Sequence, residues 1–405
     1  MGSTKFDILL YGATGFTGKL VAAYLDRHPE LEGRRWAIAG RNAGALDAVK
    51  QTLASNSVET VVCPLDDAAA VRDMVNSARM VITTAGPYSA YDGDKLLGAC
   101  AEEGVHYSDL SGEGFWQREM IDAYHETALA SGAKIILGGG VDSIPSDLGV
   151  FLALDRLGVT KGGNSQVRVT GVYTEYSGSF SGGTLASGIA RSKAIKSGRL
   201  TKAALRDPYV LAPECDENPD EVTTLDGMPD RLGLEFNSDH GVLLPFFMGQ
   251  INAPVVRRSL ALNGVSNTVT YRECCSPAMW ARVLWLYASR GFGYPLGEPI
   301  NFRPKSGEGP PKWMLKQGGF TMHVDAKAEE GRQAQVVVTG RGDPGYGATS
   351  KMLAELALCV IGHREGKPDT AGVVTPATAL GSALVEQLQS AENGTYMRFE
   401  VSQAS

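Results

Sequence analysis

Near the start of the chain, Gly12-Ala13-Thr14-Gly15-Phe16-Thr17-Gly18 places glycine at every third position directly after the apolar run Phe6–Tyr11. Glycine lets a backbone turn tightly and approach a bulky anion closely. If a helix opens at the following residues, its first amides and its dipole hold that anion. In a strand-to-helix setting the pattern is the fingerprint for the pyrophosphate of a dinucleotide; the plain alternative is a glycine-rich turn without a ligand. Gly12, Thr14, Gly15, Phe16, Thr17 and Gly18 are the expected contacts on that side.

A second apolar run, Trp36–Ala39, ends in Gly40-Arg41-Asn42. Enzymes using NAD commonly carry Asp or Glu here to hold both ribose hydroxyls. A guanidinium instead clamps a 2′-phosphate and stacks on adenine, so Arg41 points to NADP(H), with Asn42 beside it. The bland alternative is an arginine that solvates a helix start. Asp66 reads either as an acceptor for the adenine amino group or, with Asp67, as a helix N-cap. Ala85-Gly86-Pro87 forms a small, sharp turn able to pack close to the nicotinamide ribose.

Hydride transfer needs an electrophilic carbon facing the nicotinamide and a group that stabilises the charge left on the acceptor. Three segments supply candidates: Tyr88 and Tyr91; Asp109-Leu110-Ser111-Gly112-Glu113; and Gly138 through Asp147. From them Tyr88, Tyr91, Ser111, Asp142 and Ser143 are the candidate catalytic residues. Tyr91 and Lys95 match the tyrosine–lysine spacing of short-chain dehydrogenases, a spacing that arises easily by chance. Gly93 and the adjoining loop signals weigh against a shared helix. Asp109 and Ser111 would otherwise cap a helix beginning near Phe115, and Ser143 or Ser146 the helix containing Pro145–Leu157.

These groups need elements to position them. Short apolar runs at Phe6–Tyr11, Trp36–Ala39, Thr60–Cys63, Met80–Thr83, His106–Asp109 and Lys134–Leu137 alternate with amphipathic stretches. That alternation predicts an α/β fold: an N-terminal Rossmann, doubly wound parallel sheet over residues 1–147, with ligands at the carboxyl ends of its strands. Beyond it, Ser165–Glu175, Val265–Cys274, Phe320–Ala328 and Gln335–Gly340 read as longer strands of an α+β substrate or oligomerisation domain over 148–370, with a mostly antiparallel sheet. Asp207–Gly241 and Gly297–Lys312 are candidate lids or plain insertions. Thr375-Pro376 starts a helix and Met397–Val401 a last strand, so that residues 371–405 are expected to return toward the first domain.

Composition narrows the function classes. With 38 Lys+Arg against 45 Asp+Glu, the net charge of -7 offers no basic stripe for nucleic acid. Cys63, Cys100, Cys215, Cys274, Cys275 and Cys359 show no zinc-like or CxxC spacing and the histidines are scattered, so no metal site and only reduced thiols are expected. The chain enters its first strand without a signal-peptide pattern, and Phe6 stands where a myristoylation signal needs Ser or Thr. The best apolar run, Ala278–Ala288, is short and contains Arg282, so a cytoplasmic location is expected and a membrane or lipid surface is disfavoured.

Taken together, the phrases at Gly12–Gly18, Ala39–Arg41, Gly86–Tyr88, Tyr107–Glu113, Asp142–Asp147, Ser181–Thr184, Asp343–Gly347 and Gly372–Pro376 resemble the saccharopine dehydrogenase-like oxidoreductases, in particular the trans-acting enoyl reductase branch. The resemblance covers nearly the whole chain. It implies NADP(H), a substrate domain, and reduction of an activated C=C bond in an enoyl-thioester, polyketide or lipid-like intermediate of secondary metabolism. It also leaves saccharopine-like C=N reduction, for which Arg191, Arg257, Arg258 and Arg272 would bind an amino-dicarboxylate, and a catalytically silent NADP-binding scaffold. The partners implied are a small-molecule substrate, free or carrier-bound, and a synthase; a homodimer is a further expectation.

Overall fold

The computed structural model describes residues 4–55, 57–178, 190, 192–201, 207–213, 235–237, 239–281, 315 and 317–402. Seven strands form the first sheet: β1 (Phe6–Tyr11), β2 (Trp36–Gly40), β3 (Glu59–Val62), β4 (Ala78–Thr83), β5 (His106–Ser108), β6 (Lys134–Ile136) and, far along the chain, β13 (Gly372–Val374). Their order is β13-β6-β5-β4-β1-β2-β3, and every pairing is parallel. A parallel sheet covered on both faces needs apolar residues at every position, hence the continuous Ile8-Leu9-Leu10 and Ile135-Ile136 runs, all fully buried. The chain leaves β1 outward through β2 and β3, then reverses to β4. That reversal opens a crevice at the carboxyl edge between β1 and β4.

The covering helices are α1 (Phe16–Leu25), α2 (Ala43–Lys50), α3 (Ala68–Asn76), α4 (Gly93–Glu103), α5 (Gly114–Ser131) and α6 (Ile144–Leu157). Helix α6 carries the chain into the second sheet. A β carbon added to its Gly149 would lie 2.8 Å from Val324 and 3.2 Å from Val338, so the missing side chain sets how closely helix and sheet approach.

The second sheet contains β7 (Val167–Ser177), β8 (Glu235–Asn237), β9 (Gly241–Pro245), β10 (Val269–Cys275), β11 (Gly319–Ala328), β12 (Gln333–Arg341) and β14 (Met397–Ser402), ordered β14-β12-β11-β7-β10-β9-β8. Its neighbours are antiparallel except β7 and β10, whose parallel pairing runs from Val269 opposite Val167 to Cys275 opposite Tyr173. Parallel neighbours need a crossover, and α7 (Gly249–Leu262) lies in it. Strand β10 starts four residues later than the apolar pattern suggests, because the amides of Thr268 and Val269 both bond Val265 O in a turn.

Two further helices complete the core. In α8 (Thr349–Ile361) nearly every side chain is buried, as for a helix enclosed on all sides. Helix α9 (Pro376–Gly394), interrupted at Gly381, starts where Thr375 accepts the Thr378 amide. One apolar cluster joins Ile8, Leu10 and Ile82 of the first sheet through Leu353, Leu380 and Leu148 to Val324 and Val338 of the second. Residues 371–402 serve both sheets, β13 pairing with β6 and β14 with β12.

The lid candidates fall largely outside the described residues, as do Ser181–Thr184, Arg191 and Cys215. The described stretch 207–213 is tied down by Arg118 and Arg258, which donate to the carbonyls of Ala212 and Leu211. Cys63, Cys100, Cys275 and Cys359 are buried and not joined in disulfides. Among the described residues no helix is long and apolar enough to cross a membrane, and no three His, Cys, Asp or Glu side chains gather as metal ligands.

Candidate active site

The glycine turn is shaped by its glycines. Gly12 has φ +79, and a β carbon there would lie 2.9 Å from Ala85 N; one at Gly18 would lie 2.3 Å from Gly12 O. The first glycine thus lets β1 turn against the end of β4, and the last lets α1 pack onto that turn. Gly15 is the N-cap of α1, with extended backbone, no capping side chain and no acidic residue in the first turn. The first amides of α1 therefore remain available to an anion. Thr14, Phe16 and Thr17 are partly buried beside them, and the Tyr346 ring meets Phe16 edge-on at 4.7 Å. This open amide cradle fits a dinucleotide pyrophosphate.

Arg41 is exposed at the end of β2 and has no hydrogen bond or ion pair with any described residue. Asn42 caps α2, its side-chain oxygen accepting the Ala45 amide at 3.0 Å, which leaves its amide nitrogen to donate to a ligand. Asp67 caps α3 through the Ala70 amide at 3.0 Å. The N-cap alternative for this pair therefore falls to Asp67, and Asp66 stays exposed without a described partner. Burial pushes the Tyr11 hydroxyl up to about 12, against the nearby Arg41 charge; that hydroxyl donates to Cys63 O at 2.9 Å.

Hydrogen bonds stitch the strand ends together in sheet order. Thr84 Oγ1 donates to Gly12 O at 3.1 Å, ahead of Ala85 and a cis Gly86–Pro87 bond. The Tyr88 hydroxyl donates to Thr83 O and accepts the Leu110 amide, both at 3.0 Å, while its ring stacks on Trp116 at 5.4 Å. Glu113 accepts from the amides of Tyr88 and Ser89 and from Ser89 Oγ. Asp109 accepts from Ser111 N and Oγ, Gly138 N and the Tyr107 hydroxyl. Gln117 Nε2 donates to Ser111 O at 2.8 Å and to Ser111 Oγ at 3.1 Å.

Several capping expectations are corrected here. Glu113, not Asp109 or Ser111, is the N-cap residue of α5, and it makes no side-chain cap. Ser143 is the N-cap residue of α6, but its hydroxyl donates to Gly138 O, holding the preceding glycine turn closed. Ser146 lies within α6 and bonds the Tyr173 hydroxyl at 3.1 Å. Tyr91 is 49% exposed, and α4 starts after it at Gly93; Lys95 pairs with Asp92 at 3.2 Å. The tyrosine–lysine pair does not share a helix.

Asp142 differs from its neighbours. The other carboxylates of this edge, Asp109, Glu113 and Asp147, are each held by several donors, whereas Asp142 has no hydrogen-bond partner among the described residues. Burial alone pushes its carboxyl up to about 6. A β carbon on Gly112 would lie 3.2 Å from Ile251 and 3.9 Å from Asp142 Oδ2, so a larger residue there would crowd Ile251 and reach the carboxylate. Tyr173 and Tyr176 of β7 feel its charge, and they continue into an aromatic wall. Tyr173 stacks on Phe246 at 4.1 Å, and Tyr176 meets Phe246 and Phe247 at 5.6 and 5.7 Å. Sequence reasoning missed this wall and Tyr346. An alternating strand announces which residues share a face, but nothing in it tells what the face meets.

The family model for the saccharopine dehydrogenase NADP binding domain matches residues 8–136, the stretch from β1 to β6. A trans-acting enoyl reductase of Mycobacterium leprae is 34% identical over 415 residues, covering 96% of each chain. One from Mycobacterium tuberculosis is 32% identical over 411 residues, again covering 96% of each. The chain belongs to the trans-acting enoyl reductase family. Its fold matches saccharopine dehydrogenase (L-Glu forming) from Saccharomyces cerevisiae, with a TM-score of 0.54 at 9% identity over 99% of this chain and 100% of that one. The first sheet of this family member is thus an NADP-binding domain, and the chain is an NADP-dependent oxidoreductase.

Proposed function

We propose that this protein is an NADPH-dependent reductase of the activated C=C bond of an enoyl-thioester, polyketide or lipid-like intermediate, free or carried by a partner synthase. The observation that carries the reading is the likeness, along nearly the whole chain, to trans-acting enoyl reductases. The α1 amides would hold the pyrophosphate, Arg41 the 2′-phosphate with Asn42 beside it, Asp66 the adenine edge, and the Ala85–Pro87 turn the nicotinamide ribose. Bound NADPH supplies a hydride. The acceptor would lie against the ends of β5 and β6, near Gly112, Asp142 and Ser143, where the aromatic wall from Tyr173 to Phe247 suits an acyl group better than a charged one.

The hydroxyls of Tyr88 and Ser111 are engaged in holding loops, so we assign them a positioning role rather than contact with the acceptor. Reduction of a C=N bond in an amino-dicarboxylate would call for arginines converging on this edge. Arg257 donates to the carbonyls of Pro208 and Tyr271, Arg258 to those of Leu211 and Val373, and Arg272 to Thr170 Oγ1. These three arginines are built into the scaffold, which favours the C=C reading. We assign cofactor binding to residues 1–147 and substrate binding, with any pairing into a homodimer, to 148–370, the segment 371–405 bracing both.

The test is NADPH oxidation by the purified protein on a crotonyl-thioester and on a panel of cyclic imines. Turnover on the thioester alone is expected. Turnover on imines alone would replace the proposal with the second reading, and tight NADPH binding with no turnover on any acceptor would replace it with a silent scaffold.

A further inference from the structure

Enoyl reduction needs a proton as well as a hydride, and the carboxyl edge holds several acidic groups of very different availability. Tyr88 OH lies between Thr83 O and Leu110 N, Ser111 Oγ between Asp109 and Gln117, and Ser143 Oγ on Gly138 O. Each would have to break a bond that holds a loop before it could give up a proton. Asp109, Glu113 and Asp147 are fixed by multiple donors. Asp142 is partly exposed, stands past β6 at the end of the glycine turn, has no hydrogen-bond partner among the described residues, and lies across from Gly112, where a β carbon would come 3.9 Å from Asp142 Oδ2. We infer that Asp142 is the proton donor of the reaction, giving its carboxyl proton to the α carbon of the acceptor. This inference rests on the enoyl reductase reading.

The balance is simple. When hydride forms the new C–H bond at the β carbon, the π electrons of the double bond move toward the thioester carbonyl as an enolate. The enolate pair then takes the Asp142 proton; the carboxyl O–H bond breaks, the α C–H bond forms, and the carboxylate regains a proton from water before the next turnover. A carboxyl that burial holds near 6 is still partly protonated at neutral pH, as a general acid requires. The titratable groups that feel its charge are Tyr173 and Tyr176 from β7, and Gly112 of the β5 loop, backed by Ile251 from α7, lies beside it. Asp343 is the further carboxylate acting on Tyr176. Tyr176 is the rival donor, but burial raises its hydroxyl well above the ordinary tyrosine value, leaving it the weaker acid.

The experiment compares the full-length wild type, Asp142→Asn and Tyr176→Phe on crotonyl-thioester across pH, with NADPH fluorescence quenching and thermal melting as controls for cofactor binding and folding. For the wild type, kcat falls as pH rises through about 6. Asp142→Asn is expected to keep NADPH affinity, to lose about 100-fold or more in kcat and to lose that limb; Tyr176→Phe keeps the limb. An infrared titration of the cofactor-free protein adds a readout independent of turnover, a carboxyl band titrating near pH 6 that is absent from Asp142→Asn. The inference is overturned if Asp142→Asn retains kcat and limb, or if Tyr176→Phe abolishes the limb, while wild-type reduction of the thioester leaves the enoyl reading intact. A wild type that binds NADPH but does not reduce the thioester overturns both.

Discussion

At the scale of single residues, the site divides into side chains held by the fold and side chains left for ligands. Arg41, exposed at the end of β2 and without a partner among the described residues, is the one we propose to be of the second kind. A charge-assisted contact with a 2′-phosphate contributes about 1.5–3 kcal/mol, so Arg41→Glu should weaken NADPH binding about 10- to 100-fold. NADH, which lacks that phosphate, should not lose affinity to the same degree; fluorescence titration with both cofactors checks this. Tyr88 is of the first kind. Tyr88→Phe removes the partner of the partly buried Leu110 amide and should cost about 1–3 kcal/mol of stability, read as a lower denaturant midpoint, with proton transfer preserved. A collapse of kcat at unchanged stability would instead make Tyr88 the donor.

At the scale of elements, the glycine turn depends on contacts that only hydrogen atoms permit. The β carbon of Gly18→Ala would lie 2.3 Å from Gly12 O and 2.8 Å from Ala13 Cα, so α1 must move off the turn and its amides away from the place proposed for the pyrophosphate. NADPH affinity should drop by at least about tenfold, the equivalent of 1.4 kcal/mol, measured by fluorescence quenching on protein shown to fold by circular dichroism. This turn was legible from residue types alone, because its close contacts require glycine at fixed spacing. The first six strands were legible for a related reason: the central parallel strands, enclosed on both faces, carry continuous apolar runs such as Ile8-Leu9-Leu10 and Met80-Val81-Ile82. The start of β10 was misread because Val265 is apolar yet belongs to a turn, a distinction made by hydrogen bonds rather than hydropathy.

At the scale of the whole molecule, Asp147 ties three helices together, accepting from Ser259 Oγ on α7 and from the Ala377 amide at the start of α9. Burial pushes it up to about 7, against roughly 3.9 in an unfolded chain. The folded state therefore keeps a proton that the unfolded state releases between those values. The stability contribution is fully present below about pH 4 and is lost as pH rises through 7. Denaturant midpoints of wild type and Asp147→Asn should accordingly differ in pH slope over that interval, with the variant flatter. Residues 371–402 give an edge strand to each sheet, so their removal would bare the edges of β6 and β12 at once. Such a truncation should show no cooperative thermal transition by circular dichroism.

The sequence by itself determined the NADP-binding domain of this protein, because its strands and glycine turn are local features, each recognisable within a few residues of chain, as is Arg41, for which we propose the 2′-phosphate contact. The acid–base half that we infer rests on tertiary structure. Asp109, Ser111, Asp142 and Ser143 are equivalent as letters, four polar residues at strand ends. Only packing reveals that Asp109, Ser111 and Ser143 are locked into the loops that follow β5 and β6, while Asp142, beside Gly112 and felt by the tyrosines of a strand more than thirty residues away, has no hydrogen-bond partner among the described residues. Availability is a property of what surrounds a group, and those surroundings come from distant parts of the chain.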